Sequence, residues 1–291
     1  MRRLSTNKKN KMVKKTRAKA KAKKENKSKE HKPRVGIHSI TGCAGCQLSI
    51  YFIEDVLLEL LDKIDLIAAP MIKEKNEEDN YDVLFVEGSV SSKDDLDNLL
   101  EWRKKTKFLI ALGACATHGC MQSMKHAMNE KEVEDAVYKK FPSDSRLKPI
   151  TSVPIHKHVK VDFYIPGCPP SKEEIVQVLK WLLQGRTLRV YDKAVCHECS
   201  LKENYCLLDQ GIECLGPLMN GGCMALCPSF NHPCTGCRGL LDDANLESGK
   251  QFMKDKGFDA DTMLKKMTKY NTLQFKEFEA KNNPKPAEGS K

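Results

Sequence analysis

Twelve of the thirteen cysteines in this 291-residue chain fall into three sets of four. Cys43, Cys46, Cys115 and Cys168 are spread through the first 170 residues, whereas Cys196, Cys199, Cys206, Cys214, Cys223, Cys227, Cys234 and Cys237 crowd into one stretch of 42. Thiolates are soft ligands that take iron–sulfur clusters or zinc. Three sets of four match the ligand demand of three 4Fe-4S clusters, and a row of such clusters conducts single electrons. Zinc competes for the later eight, because Cys196-x2-Cys199 and Cys234-x2-Cys237 have zinc-ribbon spacing. Three features favour iron–sulfur. Cys168 and Cys227 each precede a proline, as in ferredoxin-type ligand runs. The eight late cysteines are close enough for two adjacent cubanes, and the first four straddle a length of chain that no local zinc clip spans.

Composition narrows the setting. So many cysteines in a reducing cytosol argue for metal rather than disulfides, and the odd count fits a disulfide scaffold poorly. The net charge of +10 is misleading, because residues 1–34 hold 16 Lys/Arg and 2 Glu, while the remainder holds 33 basic and 37 acidic residues. The basic character belongs to a tail, residues 1–33, which is too poor in apolar residues to fold and is expected to be disordered. No apolar segment follows its basic start as in a signal peptide, and no stretch reaches the length of a membrane span. A soluble, cytoplasmic protein is the expectation. There is no Ser/His/Asp or Cys/His nucleophile arrangement, no P-loop and no G-x-G-x-x-G after a strand. Carriers of hydride, flavin or nucleotide therefore belong to partners.

The elements that must position these cysteines are legible from apolar periodicity. RVGIHSI (34–40), IDLIAA (64–69), DVLFVEG (82–88), KFLIALG (107–113) and VDFYI (161–165) read as buried strands. Helices are expected over 48–61, 93–105 capped by Ser91 and Ser92, 121–141, and from Ser171, whose capping box with Glu174 opens a helix to Leu183. Short apolar strands alternating with helices indicate an α/β fold, an open and mostly parallel sheet. Cys43, Cys46, Cys115 and Cys168 would then all lie just past the carboxyl ends of strands, where such sheets bind ligands. Gly42, Gly45, Gly113 and Gly167 suit tight turns there. Residues 190–240 lack apolar periodicity, so their order is expected to come from metal, and 241–280 read as amphipathic helix. The expected organisation is a tail (1–33), an open-sheet domain (34–188) that the family resemblance given below implies is flavodoxin-like, a small irregular cysteine-rich iron–sulfur domain (189–240) and a helical extension with a frayed end (241–291).

Gly42-Cys43-Ala44-Gly45-Cys46, Val86-Glu87-Gly88, Gly113-Ala114-Cys115-Ala116 and Pro166-Gly167-Cys168-Pro169-Pro170 resemble the small subunit of NiFe hydrogenases, whose core is shared with the 20 kDa cluster-bearing subunit of respiratory complex I. The eight-cysteine block looks most like the methyl-viologen-reducing, deazaflavin-non-reducing hydrogenases of methanogens and the delta subunit of sulfhydrogenases. The resemblance covers residues 34 to about 240. It implies an oxidoreductase subunit that relays electrons from H2 oxidation at a NiFe large subunit to a further iron–sulfur or flavin subunit. By that resemblance Cys43, Cys46, Cys115 and Cys168 hold a proximal cluster. Cys196, Cys199, Cys206 and Cys214 hold a distal one, with Cys196 in place of a family His, and Cys223, Cys227, Cys234 and Cys237 hold a medial one, with Cys227 in place of a family Pro.

The chain departs from the family at Gln47, where many members carry Glu, and at Cys120, where many carry Gly; Cys120 reads as a free thiol near a cluster. Glu87 reads either as a carboxylate serving proton traffic or as a solvated loop carboxylate. His118 reads as tuning a cluster edge or as a partly buried surface residue, His197 as neighbouring a cluster or exposed, and His156 and His158 as loop residues without a role. Two other functions compete. A complex-I-type quinone oxidoreductase subunit shares the first domain but generally lacks the eight-cysteine block. A zinc-bound nucleic-acid-binding protein with a basic arm is disfavoured by the acidic folded part.

Overall fold

The structure, a computed structural model, describes residues 32–137 and 150–282. Most of the basic tail, the far end of the helix expected over 121–141 and the C-terminal end expected to fray lie outside the described residues. Five parallel strands, β1 (Arg34–Ser39), β2 (Asp65–Ala68), β3 (Tyr81–Glu87), β4 (Thr106–Leu112) and β5 (Phe163–Ile165), form one sheet in the order β2-β1-β3-β4-β5. This is the flavodoxin-like order, and its switch point lies between β1 and β3. The pairing of Ser39 with Glu87 and of Glu87 with Leu112 brings the carboxyl ends of β1, β3 and β4 level.

Side chains alternate between two cores, as the strand repeat of two requires. On one face Ile37, Phe85, Ile110 and Ile165 meet α1 (Gly45–Tyr51), α2 (Glu54–Lys63) and α6 (Lys172–Leu183). On the other, Leu84, Val86, Leu109 and Ala111 meet α3 (Lys93–Lys104), α4 (Gly113–His118) and Ile155. α3 begins at Ser92 with a full capping box, its partner being Asp95.

Three expectations change. The helix over 48–61 is two helices, because α1 closes at Phe52 and α2 restarts at Ile53. Ile50, Ile53 and Leu60 stay buried on one stripe across the break, so the periodicity is the same for one helix or two. The segment after Cys115 turns sharply at Gly119 (φ 91°) and Cys120 (φ 47°), runs as a 3₁₀ segment over Cys120–Ala127 and continues as α5 (Glu130–Val137). Ser171 accepts the Glu174 N–H at 3.2 Å, but Glu174 turns its carboxylate to Arg238 instead of closing the box.

Past α6 the chain enters the cysteine-rich region, with α7 (Val195–Leu201), a 3₁₀ turn over Gly216–Leu218 and the single-turn α8 (Leu226–Ser229); α9 (Leu246–Asp255) and α10 (Ala260–Asn282) follow. Its order does not rest on metal alone. Val195, Leu207, Leu215, Leu218 and Met219 share one buried cluster with Met253, Met263, Met267 and Phe275 of the two last helices. No helix among the described residues is long and apolar enough to cross a membrane.

Candidate metal centres

The first four cysteines converge at the carboxyl edge of the sheet. Cys43 and Cys46 enter α1 through Ala44, which takes a left-handed conformation (φ 64°). Cys115 stands in α4, directly after β4, and Cys168 lies in the turn after β5. The loops touch: the Ala114 N–H donates to the Gly167 carbonyl at 2.8 Å. Gly113 (φ +83°) is required here, since a Cβ on it would lie 2.2 Å from Cys46 Sγ. Burial raises the pKa of Cys46 far above an ordinary thiol, and the negative charge of Glu87, Cys115, Cys168 and Cys43 adds to the rise. Held together as thiolates, four such sulfurs would suit a positively charged group between them.

Glu87 is not a solvated loop carboxylate. It is 1% exposed and accepts the N–H groups of Cys46 at 3.3 Å and Gln47 at 3.1 Å, fixing the start of α1. Gln47 is buried and accepts from the Tyr51 hydroxyl at 3.3 Å. Cys120 stands inside this group of sulfurs. It is fully buried, and its thiol hydrogen-bonds to Cys115 and Cys168. Those bonds first, and burial after them, hold Cys120 protonated. The same bonds lower Cys115, and lower Cys168 to about 7, against the opposing effect of burial.

His118, on α4, is also buried rather than superficial. The Thr117 hydroxyl donates to the Gly113 carbonyl at 3.0 Å, so it accepts from His118 Nδ1 at 2.9 Å and leaves Nε2 bare. Burial and then the charge of Arg238 lower its pKa to about 3, which keeps the ring neutral. His197 is exposed and pairs through Nδ1 with the Tyr191 hydroxyl at 2.8 Å; His156 and His158 are exposed.

The eight late cysteines lie near one another, with charge contacts both within and across the two expected sets. Burial raises Cys196 to about 12, followed by the charges of Cys214, Cys199 and Cys206. A Cβ on Gly216 would lie 3.2 Å from Cys196 Sγ and 3.5 Å from Cys214 Sγ, so the backbone approaches both sulfurs closely. Burial raises Cys237 to about 11, with Cys223 and Cys227 adding to it, and Cys234 feels Cys214, Cys237 and Cys223. Two contacts join the sets. The Cys168 backbone N–H hydrogen-bonds to Cys237 sulfur, and the Cys234 N–H donates to Cys214 Sγ at 3.2 Å. Among the described residues no three His, Cys, Asp or Glu are placed to hold a single metal ion. A four-iron cubane carries each thiolate on its own iron, so its ligands stand farther apart than four on one zinc.

Three charged residues that cysteine counting misses shape these loops. Glu198 lies between Cys196 and Cys199 yet serves the other set: it accepts the N–H groups of Gly222 at 2.9 Å, Met224 at 3.0 Å and Ala225 at 3.1 Å. Met224 and Ala225 are both left-handed, a run that turns successive N–H groups toward one anion. Arg238 and Glu174 form a buried bidentate pair at 2.6 and 2.9 Å. Burial lifts the Glu174 carboxyl against the pull of Arg238, but the two-armed contact is that of a carboxylate with a guanidinium. For Glu198 and Arg238, the local sign was an ionisable residue beside a cysteine, as in Cys196-His197-Glu198-Cys199 and Cys237-Arg238.

The family model described as "NADH ubiquinone oxidoreductase, 20 Kd subunit" matches residues 43–182. Sulfhydrogenase 2 subunit delta of Pyrococcus furiosus is 40% identical, over 76% of this chain and 92% of its own length. A vhu subunit of the F420-non-reducing hydrogenase of Methanococcus voltae is 32% identical, over 80% of this chain and 91% of its own. The chain belongs to this family of hydrogenase small subunits. They are oxidoreductase components, and both matched relatives extend well beyond the sheet domain into the cysteine-rich region. The fold is also that of a NiFeSe hydrogenase chain of Desulfovibrio vulgaris Hildenborough, at a TM-score of 0.51 and 20% identity, over 72% of this chain and 93% of that one.

Proposed function

We propose that the chain relays electrons from H2 oxidation at a NiFe large-subunit partner to a downstream iron–sulfur or flavin subunit, in the cytoplasm of an anaerobic cell. Three 4Fe-4S clusters, when bound, would accept and pass single electrons. Cys43, Cys46, Cys115 and Cys168 hold the proximal one, Cys223, Cys227, Cys234 and Cys237 the medial one, and Cys196, Cys199, Cys206 and Cys214 the distal one. The observation that carries this reading is the convergence of Cys43, Cys46, Cys115 and Cys168 at the carboxyl edge of the sheet; the Cys168 backbone beside Cys237 and the Cys234 N–H on Cys214 Sγ support a path onward through the late cysteines. The protein's own residues set the ligand spacing and direct N–H donors at sulfur. Exposed Met121, Met224 and Leu226, each next to a cysteine in sequence, provide apolar contact for a partner. Chain turns that carry cysteines are thereby available for docking against the large subunit.

Anaerobically purified protein is expected to carry about 12 iron and 12 acid-labile sulfide per chain, together with a nickel-bearing large subunit. Stoichiometric zinc without sulfide refutes the clusters. A full iron complement with a quinone reductase partner instead of a nickel protein moves the chain to the complex-I-type reading. The eight-cysteine block beyond residue 182, where the match to the 20 Kd model ends, weighs against that alternative.

A further inference from the structure

Arg238 joins three segments of the chain. Its side chain is 5% exposed, and Nη1 donates to the Pro166 carbonyl at 2.8 Å, two residues before Cys168. Nε donates to the Gly221 carbonyl, two residues before Cys223. Nη1 and Nη2 together grip Glu174 on α6 at 2.6 and 2.9 Å. Gly222 (φ +100°) lies against the guanidinium so closely that a Cβ there would sit 2.4 Å from Nη2. The backbone of Arg238 follows Cys237, whose sulfur takes the Cys168 N–H. A planar fork with five donors can hold two carbonyls and a carboxylate in one fixed geometry, which a lysine cannot.

We infer that Arg238, anchored by Glu174, is a positioning residue that fixes the Pro166–Cys168 turn against the Gly221–Cys223 and Cys237 turns, and so sets the separation and coupling of the first two electron-carrying centres. The inference rests on the cluster assignment proposed above. The buried pair is also costly in itself. Removing one partner strands a charge in the interior, whereas replacing both with apolar residues is often neutral for stability. That asymmetry separates positioning from mere support of the fold.

The test uses the full chain in its native complex, with three variants: Arg238→Lys, Arg238→Met and the pair Glu174→Leu/Arg238→Met. Iron and sulfide content, thermal midpoint, and the magnetic coupling between the reduced proximal and medial centres in paramagnetic resonance are read for each. Arg238→Met is expected to lower the thermal midpoint, and the double variant to recover it. Neither variant, nor Arg238→Lys, is expected to show the parent's coupling, because none restores the contacts to Pro166 and Gly221. Recovery of the coupling together with stability in the double variant overturns the inference and leaves the pair a structural one, as does unchanged coupling in all three. A parent protein without two paramagnetic centres overturns the cluster assignment itself, an outcome distinct from either of these.

Discussion

At the scale of single residues, the proximal group holds a fifth sulfur beside the four expected ligands, and its place in the chain distinguishes it. Cys43, Cys46, Cys115 and Cys168 sit where strands end, whereas Cys120 follows a left-handed glycine and offers a thiol to Cys115 and Cys168. A donor aimed at a ligand sulfur draws charge from it and raises the potential of whatever the sulfur binds. Cys120→Ala is therefore expected to keep the full iron complement and to lower the proximal midpoint potential, while Cys120→Ser, which keeps a donor, stays nearer the parent. Redox titration followed by paramagnetic resonance checks both. Loss of iron from the alanine variant would mean that Cys120 is itself a ligand. The sequence showed Cys120 as a thirteenth cysteine but not its contacts, because the two αL residues that swing it inward, Gly119 and Cys120, leave no periodic trace.

At the scale of elements, the ends of strands do the positioning, and these were the most legible part of the chain. Apolar runs give the strands, and Gly and Pro mark where they stop, so placing Cys115 after β4 and Cys168 after β5 needed only local pattern. The break at Phe52 was illegible because Ile50, Ile53 and Leu60 keep one stripe across it. The Glu174–Arg238 pair was illegible for another reason: it joins residues 64 apart, and a Ser171/Glu174 spacing that reads as a capping box gives no hint of a distant guanidinium. Strand ends also supply a test. Gly113→Ala places a methyl 2.2 Å from Cys46 Sγ on a backbone at φ +83°, whereas Gly211→Ala, at φ +74°, meets nothing within 4 Å. Both carry a left-handed strain of about 1–2 kcal/mol. Only Gly113→Ala is expected to lose iron, about a third of the total, corresponding to one of three clusters. Equal iron in the two variants would show that the glycine serves the turn and not the ligand.

At the scale of the whole molecule, the cysteine-rich region stands on the sheet domain on one side and on the last two helices on the other. The sequence suggested that metal alone orders residues 190–240, because their own apolar residues are few and aperiodic. The missing apolar partners lie far along the chain, in Met253, Met263, Met267 and Phe275. α10 adds polar support at its kink. Asn271, fully buried, donates to the Gly236 carbonyl at 2.9 Å inside the Cys234–Cys237 turn, and Gln274 accepts the Leu240 N–H at 3.1 Å. The two cores of the sheet draw no buried residue from α10, which packs instead on the Cys120–Ala127 segment and on α4. Deleting residues 260–291 should therefore act unevenly. It removes three buried side chains from the shared cluster, each worth about 1.5–3 kcal/mol of burial, and frees the turn that carries two expected medial ligands. The proximal site, built on the sheet, should persist. Iron is expected to fall from about 12 to about 4 per chain, with the remaining signal that of the proximal centre and the far-ultraviolet dichroism of the α/β domain retained. Retention of all the iron would show that the clusters, once inserted, hold the region without its helical support. Loss of all of it would show that the two lobes fold as one unit.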